Sequence, residues 1–298
     1  MTPPASGVVG GRSCQVRRGF RSLWLFGLLG LVSVAALAAV APAHRLLSLS
    51  PNLTELVYAA GAGDRLVGVV AYSDFPAAAR RVLLIGDAFR LDMERVMAVR
   101  PDLVLAWGSG TPGENVARLR ALGLRVEAVP VDHLDQIAPA IENIGRWAGT
   151  SAIASQAAKR FRVALAERRR QQRGRVGVAP RVFIQVGQNP FYTVNDQQLI
   201  GEVVRLCGGQ NIFGELSQLA PSIGEEAIVA RQPQVILVLD DGRDGDAARR
   251  AWQRWPQVPA VREGRVYTLD SNVLARATPR ILEGIDAVCR RLSPVRPS

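Results

Sequence analysis

Glu94-Arg-Val-Met-Ala-Val-Arg-Pro101-Asp-Leu-Val-Leu105 and Glu226-Ala-Ile-Val-Ala-Arg-Gln-Pro233-Gln-Val-Ile-Leu237 are two copies of one pattern, 132 residues apart. Each has a Glu, apolar residues at helical spacing, a Pro seven residues after the Glu, and then an apolar run of strand type. This reads as a short helix stopped before Pro and followed by a buried strand. Asp92 is a good N-cap for the first copy and Gly224 a tolerable one for the second. Both Glu side chains then fall in a first helical turn. Two copies so far apart point to two similar lobes, since a solenoid's repeats are shorter and more numerous. The acids have two readings. They complement the helix dipole, for ~0.3–1 kcal/mol each, or they form a two-point surface with one acid per lobe. The duplication favours the second.

The chain has 298 residues, 48% of them hydrophobic, which suits two lobes with their own cores and argues against general disorder. Residues 1–43 read as a secretory signal: Arg12, Arg17, Arg18 and Arg21 are a basic stretch, Leu23 to Ala41 an apolar one, and Ala41-Pro42-Ala43 a small-x-small cleavage site. The competing reading is an uncleaved membrane anchor, because nineteen apolar residues can span a bilayer. No Cys follows the apolar stretch to carry a lipid. A cut after Ala43 removes four Arg and lowers the net charge from +11 to +7. It also removes Cys14 and leaves Cys207 and Cys289, an even number in an oxidising compartment. They are expected to pair; two buried free thiols are the alternative. Lys159 is the sole lysine, and the Arg residues are scattered apart from a run at Arg168 to Arg170. With no nucleic-acid motif beside it, that run reads as a solvated helix face, and no nucleic-acid partner is expected.

Residues 45–148 alternate strand and helix. Strands are predicted at 46–49, 66–70, 103–106 and 126–129. Helices are predicted from Pro51 to Gly61 with Ser50 as cap, near 115–122, and at 134–147. Such βα alternation argues for a parallel sheet covered by helices. Over 151–173, Ile153, Ala157, Phe161, Ala164 and Leu165 recur at helical spacing with no internal Gly or Pro, predicting one long helix between the lobes. From 181 the alternation returns, with strands at 182–186, 235–239 and 266–269. Helices are predicted at 198–206, 225–231, 246–255 and 279–292, the last capped by Thr278. In such sheets ligands bind outside the carboxyl ends of the strands. The loops there are Ala71-Tyr72-Ser73-Asp74, Trp107-Gly108-Ser109-Gly110, Gly187 to Phe191-Tyr192, and Asp270-Ser271-Asn272-Val273. They combine aromatic and small polar groups, as a pocket for a flat organic ligand does.

Catalytic equipment is missing from the pattern. Only His44 and His133 exist: the first would begin the mature chain, and the second sits in a polar Val-Asp-His-Leu-Asp turn. Two His cannot build a three-His metal site, and no P-loop, nucleophile elbow or CxxC occurs. Gly108-Ser109-Gly110 is a lone glycine-rich turn. No enzyme, metal or cofactor is expected.

The residues together resemble the cobalamin-binding proteins of bacterial ABC importers, periplasmic members of the bilobed solute receptors with a helical backbone. The resemblance covers about residues 45–293. It is carried by Leu-Ser-Pro-Asn-Leu-Thr-Glu at 49–55, Tyr-Ser-Asp-Phe-Pro at 72–76, Met-Glu-Arg-Val at 93–96 and Pro-Asp-Leu-Val-Leu-Ala-Trp at 101–107. Cys-Gly-Gly-Gln-Asn-Ile-Phe at 207–213 and Arg-Ala-Thr-Pro-Arg at 276–280 complete it. It implies an α/β fold of two Rossmann-like lobes with parallel sheets, at 44–148 and 177–298, joined by a rigid helix at 149–176. A corrinoid would lie in the cleft against Tyr72, Trp107 and the stretch Leu269, Asp270, Ser271, Asn272 and Val273. Cys207 and Cys289 match the family's disulfide. Glu94 and Glu226 match acids that meet Arg residues of a two-subunit inner-membrane permease. The implied protein is a periplasmic monomer with no cofactor of its own, cobalamin being cargo.

The chain departs from that family at several rings. The family often has Trp where Ala88, Ala220 and Val273 stand, and Phe at Val186. Phe89 can replace one of these, and Phe191 and Tyr192 others. Stacked rings contribute ~0.5–1.5 kcal/mol each beyond area, so the set bears on ligand choice. Two other functions stay open: a haem or iron-siderophore receptor of the same superfamily, with Tyr72 as a candidate axial group, and a membrane-anchored binding module without transport.

Overall fold

The computed structural model describes residues 41–295, apart from 174–176, 189, 243 and 244. The basic stretch and most of the apolar stretch expected to form the signal lie outside the described residues. Folded structure begins ahead of the expected cut. Ala43 is buried, its N–H donates to the Trp147 carbonyl, and Pro42 lies against Gly149. Among the described residues no helix is long and apolar enough to cross a membrane.

The first lobe is a four-stranded sheet of β1 (Leu46–Ser48), β2 (Leu66–Val69), β3 (Leu103–Trp107) and β4 (Val126–Val129). Its helices are α1 (Pro51–Ala59), α2 (Met93–Ala98), α3 (Gly113–Ala121) and α4 (Leu134–Trp147). The order is β2-β1-β3-β4, all parallel. The long α5 (Ser151–Gln172) follows. The second lobe runs β5 (Arg181–Gln185), β6 (Phe191–Tyr192), α6 (Leu199–Leu206), β7 (Gln210–Asn211), β8 (Ser222–Ile223) and α7 (Glu225–Ala230). Then come β9 (Val235–Asp240), α8 (Gly245–Ala251), α9 (Pro259–Arg262), β10 (Val266–Asp270), α10 (Ser271–Leu274) and α11 (Ile281–Leu292). Its main sheet is β7-β5-β9-β10, again parallel, with β6 and β8 as a separate antiparallel pair. Matching β1 to β5 and β3 to β9 superposes the two strand orders, so both lobes repeat one topology.

Strand alternation explains the burial. Leu103 and Leu105 of β3 face one apolar cluster, and Val104 and Ala106 face another on the opposite side. On β9, Val235 and Leu237 divide from Ile236 and Val238 in the same way. Both sheets are therefore covered on both faces, as parallel sheets are. The duplicated stretch also repeats in detail. Arg100 and Gln232, each just before its Pro, take left-handed backbone at φ 41° and 45°. Arg45 Nε donates to the Val99 and Arg100 carbonyls, and Arg181 Nε to the Gln232 carbonyl. The Arg45 N–H donates to Asp102 Oδ1, and the Arg181 N–H to Gln234 Oε1.

The spine is α5, 22 residues and so about 33 Å long at 1.5 Å per residue. Its buried stripe is Ala154, Ala158, Phe161 and Leu165. The stripe expected through Ile153 and Ala157 begins one residue early, and Ile153 is half exposed. The reason is close approach to α4: a Cβ on Gly145 would sit 2.2 Å from the Ala154 Cβ, so the smallest residues meet there. One apolar cluster runs from Leu46 and Ile141 through Phe161 to Val204 and Ile285, so the two lobes share a core. Ion pairs fasten the same helix to both sides. Arg162 is bidentate on Glu142, Arg169 on Asp135, and Arg168 on Asp286 of α11.

Several local expectations are corrected. Ser50 precedes α1, but its side chain makes no cap hydrogen bond; Pro51 at the first turn sets the start. The last helix begins at Ile281, with Arg280 and not Thr278 in the capping position. The helix expected at 246–255 breaks at Ala251 into a 3-10 turn over Trp252–Arg254. Residues 271–274, read as loop, form α10, capped by the Asp270 carboxylate accepting the Asn272 N–H. Cys207 at the end of α6 and Cys289 in α11 form a disulfide with Cα atoms 4.8 Å apart, so the free-thiol alternative falls.

Candidate functional site

Tyr72 and Trp107 stand at the carboxyl ends of β2 and β3, with β1 between them in the sheet. Two strand spacings put the ends of β2 and β3 about 10 Å apart. Tyr72 has left-handed backbone at φ 66° and is 69% exposed. The Tyr72 carbonyl accepts from Arg276 Nη2 of the second lobe at 3.2 Å. Trp107 is half-buried and held on two sides. Its Nε1–H donates to Asp132 Oδ1 at 3.0 Å, and its ring lies over Gly110, where a Cβ would come within 2.0 Å of Cε3. Phe89 is presented at a loop tip, 74% exposed, because Asp87 Oδ1 accepts the N–H of both Phe89 and Arg90.

The second lobe divides its expected residues between surface and interior. Phe191 is 5% exposed and packs against Phe183, Trp252 and Trp255, so its ring belongs to the core and not to the cleft. Strand alternation turns the next residue, Tyr192, outward. Leu269 and Val273 are buried as well, Leu269 in the shared core and Val273 against Gly284. Asp270, Ser271 and Asn272 remain accessible at the start of α10.

Between the lobes lies a recess of about 360 Å³. The first lobe lines it with Trp107, Ser109, Asp132 and His133, and the second with Gln197, Gln198 and Leu219. Of these, Trp107 and the Ser109 of its loop were expected from the sequence, and Asp132, His133, Gln197, Gln198 and Leu219 were not. Asp132 sits just past β4 and accepts from both Trp107 Nε1 and Ser109 Oγ. Nothing in a Val-Asp-His turn marks it, since its role depends on a strand 25 residues away.

At the base of the interface Arg276 is buried and makes four hydrogen bonds. Nη1 donates to Glu55 Oε1 at 3.0 Å and Asp74 Oδ1 at 2.8 Å; Nη2 donates to Asn272 Oδ1 at 2.7 Å and the Tyr72 carbonyl. Arg280 adds a longer contact to Glu55 at 3.5 Å. Burial pushes the Glu55 carboxyl above its ordinary range, and the two Arg only partly offset that. Burial also acts upward on Asp74, but there the Arg276 hydrogen bond and charge win and hold it below the usual value. A buried charge cluster thus ties α1 and the Tyr72 loop to the segment after α10.

Glu94 and Glu226 are exposed at the second positions of α2 and α7. Their neighbours are engaged: Asp92 pairs with Arg95 and Glu225 with Arg254. Neither Glu94 nor Glu226 has an ion pair or side-chain hydrogen bond among the described residues. Each helix therefore offers one carboxylate outward, at the same place on each lobe.

Two like α/β lobes around a cleft, on one stiff connecting helix, define a solute receptor. The chain belongs to the periplasmic binding protein family, whose profile matches residues 46–273. That family is one of binding proteins and not of enzymes, as expected. The chain is 36% identical over 265 residues to a vitamin B12-binding protein of Yersinia pestis, covering 89% of this chain and 91% of that one. It is 34% identical over 261 residues to a vitamin B12-binding protein of Vibrio cholerae, covering 88% and 93%. The crystal structure of the periplasmic vitamin B12 binding protein of Vibrio cholerae matches with a TM-score of 0.79 at 33% identity, over 85% of this chain and 98% of that one.

Proposed function

We propose that this protein captures a corrinoid such as cobalamin in its interlobe cleft and delivers it, as a monomer in the periplasm, to the permease of an ABC importer. The observation that carries this is identity of 34–36% to vitamin B12-binding proteins over about nine-tenths of both chains. The cleft supports it. Tyr72, Phe89, Trp107 and Tyr192 are rings available to a flat macrocycle, and Asp270, Ser271 and Asn272 are polar groups at its edge. Phe191 acts only from the core, as do Leu269 and Val273, giving the wall its shape. Glu94 and Glu226 then serve a second surface. A permease built from two like subunits is two-fold symmetric, and a bilobed receptor meets it with matching acids. Charge-assisted bidentate contacts from Arg suit that role and steer encounter.

Titration calorimetry of the purified protein with cyanocobalamin, haem and a ferric siderophore tests the ligand. Binding of cyanocobalamin alone is expected. Binding of haem or siderophore in its place would overturn the assignment.

A further inference from the structure

We propose that Asp132 makes the interlobe recess selective for ligand edges that bear carboxamides and against edges that bear carboxylates. This rests on the corrinoid reading above and names the chemistry that discriminates within it. The recess holds Trp107, Ser109, Asp132 and His133 on one side and Gln197 and Gln198 on the other, and no Arg or Lys lines it. Asp132 Oδ1 is occupied by Trp107 Nε1 and Ser109 Oγ, while Oδ2 takes no hydrogen bond among the described residues. A carboxamide N–H entering the recess finds that oxygen as a charged acceptor, and the amides of Gln197 and Gln198 complete its hydrogen bonding from the opposite lobe. A ligand carboxylate entering the same place meets a fixed negative charge with no cation to offset it. One of the two acids must then take a proton or keep water, and affinity falls.

The surrounding charges do not change this. His133 Nδ1 lies 3.7 Å from Glu202, which also faces Arg169 at 3.6 Å. Arg169 is itself bidentate on Asp135. All titrations are run at pH 8. Asp132 is also a positioning residue for Trp107, so the informative change is the isosteric one. Asp132→Asn keeps an oxygen for Trp107 Nε1, removes the charge and replaces the acceptor Oδ2 with an amide N–H donor of the same size.

The experiment is calorimetric titration with cyanocobalamin and with its monocarboxylic acid derivatives, in each of which one peripheral amide is hydrolysed. The parent is expected to bind at least one acid isomer about tenfold more weakly than cyanocobalamin, or more, as like charges brought together require. Asp132→Asn should shrink that gap to about twofold, with the melting temperature within a few degrees of the parent. Gln198→Glu, which adds a carboxylate across the recess, should widen it, and provides the test should Asp132→Asn not fold. If the parent fails to bind cyanocobalamin, the functional reading falls and this assignment with it. If the parent binds but shows no gap for any isomer, or a gap that neither variant alters, the assignment alone is overturned.

Discussion

Arg276→Met is the sharpest perturbation of how the two lobes are held. Met fills much of the volume of the Arg stem and removes the charge and all four hydrogen bonds. Asp74 is partly exposed and can be rehydrated, but Glu55 is 4% exposed and keeps only Arg280 at 3.5 Å. Removing one partner of a buried ion pair costs about 3–5 kcal/mol. The residual Arg280 contact places the expectation at the lower end, about 3 kcal/mol, or a fall in Tm of roughly 6–12 °C. The pH dependence identifies the cause. Glu55 already titrates above its ordinary value of 4.5 because burial disfavours its charge, and losing Arg276 raises it further. A carboxyl whose folded pKa lies above its unfolded value loses stability as pH rises through that window. The deficit should therefore be largest near pH 7 and shrink as pH falls toward 4.5. Urea unfolding at several pH values measures it, and adding Glu55→Gln should recover much of the loss at neutral pH. A deficit below 1 kcal/mol at pH 7, or one that does not vary with pH, refutes the reasoning.

Four further outcomes are expected. Gly110→Ala forces a methyl into the Trp107 ring, so it should weaken corrinoid binding severalfold while costing about 1–3 kcal/mol of stability; unchanged affinity would show that the Trp107 pose is unimportant. Removing the disulfide with Cys207→Ser and Cys289→Ser opens a loop spanned by 82 residues of separation, for which the chain-entropy model allows about 4–5 kcal/mol; denaturant midpoints of the parent and double variant measure this. Glu94→Ala with Glu226→Ala should abolish transport in reconstituted vesicles yet leave ligand affinity at the parent value, and normal transport would return both acids to a helix-dipole role. Asp74, Asp135 and Glu142 are all held below their ordinary values, chiefly by Arg hydrogen bonds working against burial. The stability they contribute is present above pH 4.5 and lost as pH falls through their lowered pKa values. Thermal melts from pH 5 to 3 should show that loss, and Asp135→Asn, an exposed pair worth under ~1 kcal/mol, should approach the parent at the acid end.

What the sequence determined by itself is local. Alternating apolar residues, Pro after a short helical run, and Gly at turns specify strands and helices, because those preferences act over a few residues. The duplication of Glu94 and Glu226 was legible for the same reason, and it foretold that β3 and β9 would be equivalent strands. The long helix was legible because its run lacks Gly and Pro, although its buried stripe was not. That depends on how closely Ala154 approaches Gly145, which is a property of two packed helices. Tertiary structure alone decided the rest. Phe191 and Tyr192 are equally aromatic in sequence; one residue of strand register sends the first into the core and the second to the surface. Glu55, Asp74 and Arg276 lie about 200 residues apart across the pairings, and no spacing rule connects them. Asp132 became an acceptor at the recess only because β3 and β4 are neighbours, which brings the Trp107 and Ser109 donors to it. Charge and hydrogen bonding over such separations are set by which strands lie side by side, and that is fixed by the whole fold.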